Sequence, residues 1–202
     1  MNVRGRKQRK ELAVTIARGR ALRRLGRDPE EALEFLEQAV NRFPEDPEIR
    51  LLRATVLMAI RPDEVAAEAV KAADLAPDDP AILVRAGHLL LSRRVREAAQ
   101  SCATRAEKLA KPDFPLMGGL DNLNGLLAAF REEDDSAEEK LRSAVNRDPH
   151  NESFAKNLAV FLAERGRLQE GAEVLDEALK HVERRDEIER MRDRMAAEAA
   201  GS

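Results

Sequence analysis

The sequence predicts an all-α protein built from repeated helix pairs, and three observations carry that reading. Apolar residues recur at helical spacing along nearly the whole chain, with no convincing alternating strand. Turn signals recur at regular intervals: "GRDPEEA" (26–32), "FPEDPE" (43–48), "IRPDEV" (60–65), "APDDPA" (76–81), "KPDFP" (111–115), "EDDSAEE" (133–139) and "RDPHNE" (147–152). Equivalent positions in successive segments step by 33 to 38 residues.

Helix starts come first. Asp28 before Pro29, Asp46 before Pro47 and Asp79 before Pro80 each set a capping carboxylate ahead of a proline at the first helical position. Ser136 with Glu139 has the spacing of a capping box. Segment 111–119, "KPDFPLMGG", reads as an extended loop or hinge. Gly166 is expected to end a helix in a left-handed backbone conformation. Gly171 is expected where two helices cross, its missing side chain letting the backbones close up.

The second helix of each pair carries small or short apolar residues at Ala32, Val65, Ala99, Ala137 and Gly171. Seven residues later stand Ala39, Ala72, Ala106, Ala144 and Ala178, and between them Leu36, Ala69, Ala103, Leu141 and Leu175. Every series steps by 33, 34, 38 and 34 residues. First helices keep nearly the same register through Gly19, Ala54, Gly87, Gly125 and Ala159, each followed three residues on by Leu22, Leu57, Leu90, Ala128 or Leu162. About four extra residues separate the third pair from the fourth.

This pattern resembles the tetratricopeptide repeat, a helix–turn–helix unit of about 34 residues. Small-x-x-Leu in the first helix, then Ala-x-x-x-Leu-x-x-Ala and a closing Pro, are the matching residues, clearest in "GRALRRLGRDPEEALEFLEQAVNRFP" and "NLAVFLAERGRLQEGAEVLDEAL". The resemblance implies a right-handed α-solenoid of five repeats over residues 12–46, 47–79, 80–113, 118–151 and 152–185. A basic leader over 1–11 precedes them. Residues 186–202 follow as a capping helix and tail, with Ile188, Met191 and Met195 on one stripe. The family's aromatic positions are mostly Leu, Val or Ala here. Arg18 and Arg53 stand where an apolar residue is usual, where their stems would cover neighbouring apolar surface.

Composition narrows the function. The 202 residues are 43% hydrophobic and 36% charged, with no Trp or Tyr and six Phe, so a base-stacking surface is not expected. Cys102 is the only cysteine, which rules out an internal disulfide, and its alanine neighbours suggest a packed thiol. His88, His150 and His181 lie far apart in sequence without a second ligand at metal spacing, and "EEDD" (132–135) lacks the glycine of a calcium loop. "GG" at 118–119 is followed by no Lys-Ser or Lys-Thr. No enzyme, cofactor or metal is expected. No apolar run reaches membrane-spanning length, so neither insertion nor secretion is expected and the location is read as cytoplasmic. Abundant Arg and Ala hint at a bacterial source.

In the family, first helices line a groove that holds an extended peptide or a helix of a partner protein. Carried over, the lining is Ile16, Arg20, Arg23, Leu51, Thr55, Met58, Val84, His88, Leu91, Asn122, Leu126, Lys156, Asn157 and Val160. The set holds no acidic residue and suits a partner segment mixing apolar and acidic side chains. The carboxylate clamp of the chaperone-binding sub-class is disfavoured, since its places hold Ile16, Arg20, Leu52 and Ala81 with Arg85. The alternative to groove binding is charge-driven. Residues 1–27 carry a net +9 and the remainder −12, so Arg4, Arg6, Lys7, Arg9 and Lys10 could contact nucleic acid or another anionic surface.

Overall fold

The computed structural model describes Lys10, Glu11, Ala13, Ala17, residues 28–183 and residues 185–201. The first four are helical. The later helices are α1 (Pro29–Arg42), α2 (Pro47–Ile60), α3 (Val65–Leu75), α4 (Pro80–Ser92), α5 (Arg96–Leu109), α6 (Met117–Phe130), α7 (Asp134–Arg147), α8 (Glu152–Glu164), α9 (Leu168–Ala178) and α10 (Asp186–Gly201). A short 3-10 turn, Pro62–Glu64, leads into α3. No strand occurs among the described residues.

The helices form two compact units, residues 1–109 and 110–202. In the first unit α1 packs on α2, and the hairpins are α2/α3 and α4/α5. In the second they are α6/α7 and α8/α9, with α10 laid mainly on α9. Within each hairpin the short connection forces the second helix to run back along the first.

Recurrent residues of the sequence are the contact points. All members of the three second-helix series are buried, as are Ala54, Gly87, Gly125 and Ala159 in the first helices. A β-carbon on Gly125 would lie 2.8 Å from Leu141 Cγ, and one on Gly171 would lie 3.0 Å from the carbonyl oxygen of Ala159. Small residues set the crossing distance and leucines fill the space beside it. Burying each leucine such as Leu36, Leu141 or Leu175 stabilises the fold by about 1.5–3 kcal/mol.

Helix starts follow the Asp-Pro signal. Asp28 accepts from the Glu31 amide at 3.1 Å, Asp46 from Ile49 at 3.0 Å, and Asp79 from Ala81 at 2.9 Å. Each satisfies an amide that the helix itself cannot. The Ser136 capping box does not form. Helix α7 already begins at Asp134, so Ser136 lies inside its first turn, where Asp134 and Asp135 complement the helix dipole. Segment 111–119 is likewise shorter as a loop than expected, because Met117, Gly118 and Gly119 open helix α6.

Three first helices stop the same way. Arg94, Glu132 and Gly166 have φ of 62°, 59° and 76°. In each case this residue's amide bonds back to the carbonyl three positions earlier: Leu91 at 2.9 Å, Ala129 at 3.1 Å and Ala163 at 2.9 Å. The next amide reaches the buried carbonyl of Leu90, Ala128 or Leu162 at 3.0, 3.1 and 3.0 Å. These are Schellman closures, only one of which uses the expected glycine.

Arg53 is held by charge. Its guanidinium lies 2.9 Å from Glu68, 3.0 Å from Glu64 and 3.6 Å from Glu37. Buried Arg50 joins the same Glu68 at 3.2 Å and donates to the Pro44 carbonyl at 3.0 Å. Arg18, Gly19 and Leu22 lie outside the described residues.

Candidate functional site

The candidate surface is the face presented by the first helices, taken unit by unit. In the first unit α2 and α4 contribute it. Leu51, Val84 and Leu91 are buried and belong to the core, whereas Thr55 and Met58 are exposed and His88 is half-buried. The Thr55 hydroxyl turns back to donate to the Leu51 carbonyl at 2.9 Å. Met58 is brought to Ser92 of α4, whose hydroxyl stands 3.6 Å from the thioether sulfur. Arg85 of α4 reaches Glu48 of α2 at 2.6 Å, tying neighbouring first helices together.

In the second unit α6 and α8 supply the same face. The Asn157 amide donates to the Asn122 side-chain carbonyl at 3.0 Å, joining two of the predicted lining residues directly. Asn122 is buried, Leu126 and Asn157 are half-buried, and Val160 is exposed. Lys156 pairs with Glu187 of α10 at 2.9 Å and lies 4.0 Å from Glu152. The ammonium holds the Glu187 carboxyl below the usual carboxylate range. Sequence spacing carries no hint of this pair, because its members are 31 residues apart and one belongs to the cap.

Ile16, Arg20 and Arg23 lie outside the described residues, as do Arg4, Arg6, Lys7 and Arg9; Lys10 is helical and exposed. Cys102 is buried, and burial pushes its thiol pKa up, away from a reactive thiolate. Among the described residues no group of three or more His, Cys, Asp or Glu side chains could hold a metal ion. No described helix is long and apolar enough to cross a membrane.

Among the described residues the exposed part of the face is therefore Thr55, Met58 and Val160, with the half-buried amide of Asn157 beside it and Arg85 and Lys156 paired within the chain.

Comparison with known proteins agrees with this geometry. Two family profiles, both described as tetratricopeptide repeat, match residues 12–56 and 123–186. No match was found among curated proteins. Three solved structures are similar throughout. PilF of Pseudomonas aeruginosa has 18% identity and a TM-score of 0.68, covering 95% of this chain and 87% of that one. PilW, a type IV pilus biogenesis factor, has 19% identity and a TM-score of 0.70, covering 93% and 90%. A thermophilic tetratricopeptide protein of Thermus thermophilus has 21% identity and a TM-score of 0.70, covering 93% and 97%. With the two profiles together spanning more than half of the chain and small residues at the described hairpin crossings, this chain belongs to the tetratricopeptide repeat family.

Proposed function

We propose that the chain is a non-catalytic scaffold that holds a peptide or helix of a partner protein against the face of its first helices. The observation that supports this most is the exposure of Met58 at 40% and Val160 at 41%. Both are large apolar side chains left in water at positions the family uses for lining. Asn157 beside Val160 supplies amide hydrogen bonding, while the Lys156 ammonium gives an acidic partner group a place to compete with Glu187.

Affinity capture followed by mass spectrometry tests the reading. The full chain is compared with the variant carrying Met58→Asp and Val160→Asp. Both sites are exposed, so helicity should be unchanged while capture of a reproducible protein partner is lost. Undiminished capture by a folded variant would remove these faces from the contact.

A further inference from the structure

A second surface lies on the side of the second unit formed by the second helices. Helices α7 and α9 stand apart there and leave a cleft of about 590 Å³. Its apolar lining is Val145, Val174, Ala178 and Leu158 of the underlying α8, and Val145 and Val174 are only partly covered. The walls differ in charge. From α9, Glu170, Glu173 and Glu177 line the cleft at helical three- and four-residue spacing, so they share one face of that helix. The α7 wall contributes Arg142 and Asn146.

The carboxylates are not equivalent. Glu170 is held by Arg167 at 2.6 Å, with Arg142 at 3.7 Å across one end of the cleft. Glu177 is paired with Lys180, and its other oxygen lies 3.5 Å from Nε2 of His181, which also lines the cleft. Glu173 is exposed and accepts from the neutral Gln169 amide at 3.1 Å. The lining thus holds three carboxylates against one guanidinium and the His181 imidazole, with an apolar floor between the walls.

The geometry points to a docking site for a cationic amphipathic helix of a partner protein. Its apolar edge would enter between α7 and α9, and a flank of Lys or Arg would face the α9 carboxylate row, with Glu173 as the central acceptor. Opposite charges arranged along one wall fix the direction and register of such a helix as well as attracting it. This surface is separate from the first-helix face and does not depend on the reading proposed for that face.

The test uses the full chain with labelled Leu and Val methyl groups and a probe peptide of leucines at helical spacing interleaved with lysines. Titration should shift the methyl signals of Val145, Leu158 and Val174 and leave that of Val160 unmoved. Glu173→Lys with Glu177→Lys should weaken probe binding about tenfold or more. Glu34→Lys with Glu45→Lys makes the same change in net charge on other exposed positions and should alter binding less than about twofold. A peptide with glutamates in place of the lysines should not bind. The assignment is overturned if both variants weaken the probe equally, if the shifts centre elsewhere, or if the cleft signals instead follow protein concentration alone, which would make a second copy the occupant.

Discussion

Gly171 lies so close to Ala159 that a β-carbon on it would be 3.0 Å from the Ala159 carbonyl oxygen and 3.2 Å from the Met195 sulfur. Backbone on one side and the capping helix on the other leave little room to yield. Gly171→Ala gains about 1 kcal/mol of helix propensity, yet crowding a packed crossing costs typically about 1–3 kcal/mol. The expected result is a net loss of stability, read as a lower urea midpoint with an unchanged slope. A stabilised variant would mean that α9 shifts freely on α8.

Equivalent turn positions should respond with opposite signs. Arg94 and Glu132 hold a left-handed backbone that side chains disfavour, so Arg94→Gly and Glu132→Gly should each stabilise by about 0.5–1 kcal/mol. Gly166→Ala should destabilise by about 1 kcal/mol although nothing lies within 4 Å of the added carbon. Thermal or urea unfolding of the three variants checks this, and a uniform sign would exclude backbone strain as the cause.

Acid should loosen the second unit through a definite group. Hydrogen bonds from Arg167, and then from Arg142, push Glu138 down from 4.5 to about 2, against partial burial acting the other way. A depressed carboxyl contributes stability that is complete above its ordinary value and is lost as pH falls through the folded one. Unfolding midpoints should therefore decline between pH 4.5 and about 2, and Glu138→Gln should flatten that slope. Glu133, Asp134, Glu170 and Glu177 are shifted in the same direction by Arg131, Arg165, Arg167 and Lys180 respectively and deepen the decline.

Removing Glu68 should be costly. Arg50 is 6% exposed and Arg53 relies on the same carboxylate, so Glu68→Ala leaves buried positive charge without its partner. The expected loss is about 3–5 kcal/mol, with a smaller loss when Arg50→Met accompanies Glu68→Leu. A double-mutant cycle by chemical denaturation separates the two effects.

What could be read in the sequence was local. Asp-Pro starts, the small-residue crossings and Gly166 each declare themselves within a few residues, and a repeating register multiplies the signal. The same logic led to Ser136 as a cap, where the closing turn of α6 instead delivers the chain to Asp134 in helical conformation. Arg94 and Glu132 escaped notice because they do a glycine's work without being glycine. On the candidate face, spacing alone could not separate the buried Leu51, Val84 and Leu91 from the exposed Met58 and Val160, since all recur at the same three- and four-residue helical steps. Long-range pairs were invisible for a different reason. Neither Lys156 with Glu187 nor Arg53 with Glu68 has a sequence signature, because each depends on which helices become neighbours.

Helix α10 gives the α8/α9 hairpin a one-way boundary. Ile188 and Met195 cover that hairpin, while Asp186, Glu187, Arg190, Asp193 and Arg194 turn to water. A further hairpin stacked on that outer face would meet charge instead of an oily seat.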